Sequence, residues 1–344
     1  MHGLECDEGS EQFLMEELGR AFPNIHSHLV APGLLCSDFT FPAESPPLLA
    51  FCRQFLPAAE ECRAKTISAW SKFLFETIRS RFPENQPWML HVTPKFSVGR
   101  AGQNRCRLIL DALDERLARH HRQLRRQWQR RPAPFSPQHS IAQLLLLEPE
   151  RGLLSIAPSP VPHQLRGLIW PFPNGVLPQA RDLAAPCRAF AKLIEAETRM
   201  SRSIAANETC VDLGASPGSW SYVALQRGAN VTAVDRAPLR DDLMRHPRLK
   251  FQKGNAFSFK PSAQVDWLLC DVIAAPERSI GLLLDWAKNK RARRFIVTIK
   301  FKGHADYCKL ETLKQAMPPL CAEFYLTRLC ANKNEVCAFG EIKA

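Results

Sequence analysis

None of the twelve cysteines falls into a Cys-x-x-Cys pair, the spacing by which zinc ribbons and thiol–disulfide centres are recognised. Cys210, Cys270 and Cys337 stand instead in apolar, strand-like runs, where a thiol packs as a small hydrophobe. Reduced core thiols are expected, and no metal. The chain also lacks any run approaching the roughly 18 apolar residues that cross a bilayer. Its N-terminus carries Glu5, Asp7 and Glu8 where a signal peptide would be basic. These absences predict a cytosolic protein that does not enter the membrane. There is no internal repeat and no long low-complexity tract.

The 344 residues suffice for about two domains with real cores, and 45% hydrophobic with 23% charged content is ordinary for a globular chain. The charge balance is not: 46 Lys and Arg against 34 Asp and Glu leave a net +12, which favours a polyanionic partner. From Pro186 onward strand-like and helix-like segments alternate. A helix at 188–200 leads to strands at 208–213, 230–235, 249–252, 266–271 and 294–300, with helices at 220–227, 278–289 and 305–317 and a closing pair at 323–329 and 335–339. This alternation implies βαβ units and a mostly parallel sheet, a Rossmann-like α/β domain. The first 170 residues mix helical signals at 11–22, 58–82 and 102–130 with strand-like pieces at 27–30, 34–39, 89–96, 141–147 and 152–157, so a smaller α+β domain is expected there. Within it, residues 116–131 hold seven Arg, two His and Trp128. Two readings stand: a solvated helix end, or an RNA-contacting face with Arg on phosphates and Trp128 open to base stacking. The Pro- and Gly-bearing stretch Trp170–Pro178 reads as a hinge. The expected division is 1–170, a linker at 171–185, and 186–344.

The richest segment is Val211-Asp212-Leu213-Gly214-Ala215-Ser216-Pro217-Gly218-Ser219-Trp220, a strand running into a Gly-rich turn and a helix. Small residues let backbone approach a ligand closely, and the helix start offers unpaired N–H groups. A dinucleotide fingerprint would need Gly at Ser216, and a Walker loop would need a Gly-Lys-Ser/Thr end. Asp235 ends the next strand, about 20 residues on, where a carboxylate accepts both hydrogen bonds of a ribose diol; the other reading is a polar strand cap. Asp271 and Lys300 close two further strands, so both fall at the carboxyl edge of the sheet, where ligands bind. A lysine amine, once neutral, can take a proton from a weakly acidic group, and carboxylates can orient it.

Asp212 to Trp220 resembles the D-L-G-A-x-P-G-G-W motif of the FtsJ-like ribose 2′-O-methyltransferases, with Ser219 in place of the second Gly. The resemblance implies S-adenosylmethionine as cofactor, with Asp212, Gly214, Ser216, Pro217, Gly218, Ser219, Trp220 and Asp271 among the residues that bind it and Ser216 to Ser219 lining its methionine and ribose portion. It also implies that Asn255 stands where the family has an Asp receiving the adenine amino group, and that Cys187 stands where relatives carry a Ser beside the cofactor. Asp271 and Lys300 look like the middle pair of the family's Lys-Asp-Lys-Glu tetrad. Pro186–Leu193 resembles S-R-x-x-x-K-L and puts the first lysine at Lys192, while Glu335 fits the final Glu. Lys300 is then the general base, with Lys192 as the neighbouring cation and Asp271 and Glu335 holding the amine in place.

With Lys192-Leu193-Ile194-Glu195-Ala196 and the Cys-Asp-Val at 270–272, the chain is similar to the large-subunit ribosomal RNA methyltransferase M family. That family implies a THUMP-containing RNA-binding N-terminal region and methylation of a cytidine 2′-hydroxyl in 23S rRNA. The alternatives are a non-catalytic RNA-binding or ribosome assembly factor, for which Ser219, Asn255 and Cys187 speak, and a methyltransferase acting on another RNA. Base N-methylating relatives show Asn/Asp-Pro-Pro-aromatic where this chain has Asp271-Val272-Ile273-Ala274.

Overall fold

The computed structural model describes residues 1–39, 47–83, 85–96, 99–130, 139–157, 161, 165, 167–178 and 181–344. They divide into two compact units, Met1–Leu177 and Pro178–Ala344; the first, expected to be the smaller, is the longer of the two. No helix among the described residues is long and apolar enough to cross a membrane.

In the first unit, strands β1 (His2–Glu5), β2 (Ser27–Ala31), β3 (Leu34–Ser37) and β4 (Gln54–Leu56) form one sheet in the order β2-β3-β1-β4, accompanied by helix α1 (Glu11–Ala21). A second sheet, β5-β8-β7-β6, is built from β5 (Glu60–Arg63), β6 (Trp88–Pro94), β7 (Ser140–Glu148) and β8 (Arg151–Ile156). Helices α2 (Ile67–Arg81) and α3 (Arg100–His120) share its core. Trp70, Leu74 and Ile78 on α2, and Ile109, Leu113 and Leu117 on α3, are each fully buried, one apolar stripe per helix.

Four expectations for this unit are corrected. The helix expected over 58–82 is β5 followed by α2: Ala58 takes a left-handed φ of 45°, β5 pairs with β8, and Thr66 starts the helix by accepting the Ala69 N–H at 3.1 Å. The helix expected over 102–130 breaks at His121, whose Nδ1 accepts the Leu124 N–H and opens α4 (Arg122–Gln127). Trp128, expected to be open to bases, is buried and stacked on Trp88 with ring centroids 5.0 Å apart. An indole flanked by charges reads as surface in sequence, but its apolar area goes where a partner ring is. Arg131 lies outside the described residues. Residues 171–177, expected to open a linker, belong to the first unit. Trp170 just before them is fixed there by Gln54, whose side chain accepts its N–H and donates to its carbonyl, both at 3.0 Å.

The second unit holds a seven-stranded sheet in the order β11-β10-β9-β12-β13-β15-β14. Its strands are β9 (Thr209–Leu213), β10 (Asn230–Asp235), β11 (Leu249–Lys253), β12 (Val265–Cys270), β13 (Ala292–Lys300), β14 (Cys321–Thr327) and β15 (Glu335–Ile342). The first five are parallel, and β15 runs antiparallel to both neighbours. Leu268 to Cys270 and Phe295 to Val297 have no exposed surface, as strands covered on both faces require. Helices α5 (Phe190–Met200), α6 (Ser219–Gln226), α7 (Asp241–Met244), α8 (Pro276–Lys288) and α9 (Leu310–Ala316) complete the Rossmann-like fold. In place of the single helix expected over 305–317, a 3-10 stretch, His304–Lys309, precedes α9. All twelve cysteines are free, and burial pushes the Cys270 thiol up to about 12. From β9 the chain steps outward to β10 and β11, then returns to β12 on the other side. The resulting switch point opens a crevice at the carboxyl ends of β9 and β12.

Candidate active site

The turn after β9 is shaped by two glycines. Gly214 has a φ of 73°, and a Cβ there would sit 2.9 Å from Val272 Cβ; Gly218 has a φ of 109° and packs under Leu239 and Leu243. Neither position tolerates a side chain without strain. Between them the Ser216–Pro217 peptide is cis. Asp212, near the end of β9, accepts the Ser221 N–H at 2.9 Å and the Ser221 hydroxyl at 2.7 Å, so its carboxylate caps α6. Burial pushes the Asp212 carboxyl up to about 7; the Ser221 bonds oppose that shift, and the charges of Asp271 and Asp235 reinforce it.

Ser219 and Trp220, both on the wall of the cleft described below, also hold two elements together. The Ser219 hydroxyl accepts the Cys187 N–H at 2.9 Å, donates to the Cys187 carbonyl at 3.1 Å and lies 2.9 Å from the Cys187 thiol. The Trp220 indole N–H donates to the Ala189 carbonyl at 2.8 Å. Both side chains spend their polar groups in tying the entry of α5 to the start of α6. That tie sets the position of Lys192, three residues after Ala189.

Four charged side chains then converge from four elements. Lys192 Nζ lies 3.2 Å from both Asp271 carboxylate oxygens and 2.5 Å from Glu335 Oε1. Lys300 Nζ lies 2.9 Å from Asp271 Oδ1 and 3.7 Å from Glu335 Oε2, and donates to the Asp271 carbonyl at 3.0 Å. Burial works to lower the Lys192 pKa, but Asp271 and Glu335 outweigh it and hold the ammonium above its ordinary value. Asp271 sits one residue beyond β12, where its strand had been expected to end. Thr298, two residues before Lys300 and therefore on the same face of β13, donates to Asp271 Oδ1 at 2.6 Å. The period of two made Thr298 legible beforehand, yet sequence reasoning passed over it.

Asp271 and Lys300 face a cleft of about 360 Å³, whose walls include Cys187, Asp212, Gly214, Ser216, Pro217, Ser219, Trp220 and Asp235. Lys192, Glu335 and Gly218 are not on its wall. A second hollow of about 210 Å³ contains Asn255, Phe257 and Arg278 and shares Gly214, Asp235, Val272 and Ile273 with the first. The Asp235 carboxylate accepts the Ser216 N–H at 3.0 Å and the Ala237 N–H at 2.9 Å. It thus braces the turn, with lone pairs remaining for a ligand. Asn255 Oδ1 accepts the Phe257 N–H at 3.1 Å, which commits one lone pair of the oxygen expected to receive an adenine amino group. Two features had no sequence signal: the Arg278 guanidinium 3.9 Å from the Phe257 ring centroid, and Ile273, 88% exposed at the cleft rim. Among the described residues, no group of three or more His, Cys, Asp or Glu side chains is arranged to hold a metal ion.

Residues 185–310 match the FtsJ-like methyltransferase family. The chain is 36% identical over 149 residues to the ribosomal RNA large subunit methyltransferase M of Halorhodospira halophila, covering 42% of this chain and 43% of that protein. It is 35% identical over 183 residues to the protein of that name from Thauera aminoaromatica, half of each chain. With the one from Alkalilimnicola ehrlichii it shares 29% identity over 267 residues, 75% of this chain and 69% of the other. The first of these matches spans less than half the length of the relative.

Proposed function

We propose that this chain, whose residues 185–310 match the FtsJ-like methyltransferase family, methylates a ribose 2′-hydroxyl of large-subunit ribosomal RNA, most specifically a cytidine in 23S rRNA. The observation that carries the reading is the Lys192–Asp271–Lys300–Glu335 cluster, two members of which open onto a cleft built on a Gly-rich turn. A scaffold that had merely kept the fold would have no use for four converging charges, three of them at strand ends.

The residues present fit S-adenosylmethionine. The cradle at Gly214, which a Cβ would fill, admits a ligand against bare backbone. Asp235 offers acceptor capacity to a diol, and the hollow at Asn255 and Phe257 takes a flat heterocycle. When bound, S-adenosylmethionine supplies the methyl group on a positively charged sulfur. Lys300 Nζ accepts the proton of the ribose hydroxyl. The Asp271 carboxylate and carbonyl aim that amine, and Glu335 steadies it from the facing strand. Lys192 stays cationic and offsets the charge of one of the two carboxylates. Catalysis is largely alignment of the hydroxyl oxygen with the methyl group.

The same reading makes the first unit a THUMP-like RNA-binding region and the cytosol the site of action. Its RNA face is the outer side of α3 and α4, where Arg119, Arg122 and Arg126 are exposed, rather than Trp128. The test is transfer of labelled methyl from S-adenosylmethionine to 23S rRNA fragments by the purified chain, with the modified position mapped by its resistance to alkaline cleavage. Label at a 2′-oxygen is expected. Label on a base, or none at millimolar cofactor, overturns the proposal.

A further inference from the structure

We propose that His304, stacked on Tyr307 in the segment that follows the catalytic lysine, is the ring on which the base of the target nucleotide lies while its ribose is methylated; the inference rests on the function proposed above. The segment Phe301–Lys309 leaves β13 directly after Lys300, and the loop 328–334 leads directly into Glu335. Because β13 and β15 are antiparallel, both segments emerge at the same edge of the sheet, the edge where the cleft opens.

The two segments are fastened together by Asn334. Its carbonyl accepts the Phe301 N–H at 3.0 Å, its amide donates to the Phe301 carbonyl at 2.9 Å, and its side-chain oxygen accepts the Tyr307 hydroxyl proton. Tyr307 is buried, edge-on to Phe301 at 4.9 Å and 79°. On it rests His304, ring centroids 5.6 Å apart and planes 22° from parallel. His304 is exposed. An exposed flat ring backed by a fixed aromatic pair, three residues from the end of the catalytic segment Lys300–Phe301, is a stacking surface. The substrate group with a π-face that must come close to Lys300 is the base of the nucleotide whose 2′-hydroxyl is there. Stacking is sequence-tolerant and strong enough to hold a splayed-out base. Exposed Lys302 and Lys333 stand on the same two segments, where they suit the flanking phosphates.

The test is single-turnover methylation of an rRNA fragment carrying the nucleotide that the wild type modifies, and of a twin in which that nucleotide is abasic but keeps its 2′-hydroxyl. His304→Ala is expected to lower kcat/KM about 10-fold or more on the intact fragment, to leave the abasic twin's rate unchanged, and to bind S-adenosylmethionine as the wild type does. His304→Phe is expected to restore the rate on the intact fragment. An equal loss on both fragments, or no loss on the intact one, overturns the inference while leaving the methyltransferase reading in place. Failure of the wild type to methylate the intact fragment overturns both.

Discussion

Lys300 and Glu335 face each other directly across the antiparallel ladder of β13 and β15, one closing its strand and the other opening its own. Their spacing is therefore set by backbone hydrogen bonds rather than by loop conformation. Glu335 is 7% exposed and holds the buried Lys192 ammonium. Glu335→Gln keeps the shape but removes a charge from an enclosed pair, so it is expected to destabilise the second unit by about 3 kcal/mol and to abolish most methyl transfer. Urea unfolding and initial rates check this. Unchanged stability would mean that the cluster is not charge-coupled.

The Thr298 hydroxyl donates to Asp271 Oδ1 at 2.6 Å and lies 3.5 Å from the Cys270 carbonyl oxygen. Thr298→Val deletes the hydroxyl at nearly constant volume, which frees Asp271 Oδ1 from one of its orienting bonds. The expected result is about 1 kcal/mol of lost stability and about a tenfold fall in kcat, with S-adenosylmethionine affinity unchanged. Calorimetry and single-turnover rates separate these effects, and a fall in cofactor affinity instead would assign Thr298 to the cofactor wall.

The Asp212 carboxyl, raised from 3.8 to about 7 by burial, predicts a pH slope. Between those values the folded chain keeps a proton that the unfolded chain has lost. The group's contribution to stability is therefore full below about 4 and is lost as pH rises through about 7. Asp212→Asn keeps an oxygen to cap Ser221 and has nothing to titrate. The stability difference, variant minus wild type, is expected to grow with pH by on the order of 1 kcal/mol per unit across that window. A difference independent of pH between 4.5 and 7 (roughly that window) contradicts the buried-carboxyl account.

In the basic segment the arginines fall into two groups. Arg125 donates to Asp114 Oδ1 at 2.6 Å, and Arg130 pairs with the same carboxylate; the Arg125 bond leads in holding that carboxyl down at about 2. Arg122 and Arg126 are exposed on α4. Replacing Arg122 and Arg126 with Ala is expected to weaken RNA binding and to reduce its salt slope by about 1 to 2, with the fold intact. Trp128→Ala is expected to cost about 3 to 5 kcal/mol in the first unit through loss of the Trp88 stack, without a specific effect on base stacking. An unchanged salt slope returns α4 to the reading of a solvated helix end.

How much of this was legible depends on where the deciding partner lies in the chain. β9, β12 and β13 of the second unit are apolar runs bounded by turn residues, and Lys192, Asp271, Lys300 and Glu335 each sit near the edge of an element, so local pattern sufficed to place them. Glu60–Arg63 carries no apolar alternation and became a strand because β8 offers it a ladder. β1 and β4 are four and three residues long, too short for periodicity to register. The Ser219 clamp depends on Cys187, 32 residues away, and the burial of Trp128 on Trp88, across α3. Local sequence says nothing about such pairs.

The central claim is that the neutral amine of Lys300 removes the hydroxyl proton. Lys300→Arg tests it most directly, because a guanidinium preserves the positive charge and a contact to Asp271 but does not release its proton near neutral pH. Single-turnover methylation of the mapped 23S rRNA fragment at saturating S-adenosylmethionine is the measurement, with RNA and cofactor binding followed in parallel. The account predicts binding within about twofold of the wild type and a rate reduced by about 10³ or more, in line with the loss of a general base together with its alignment. Substantial activity in Lys300→Arg would contradict it and move proton removal away from Lys300.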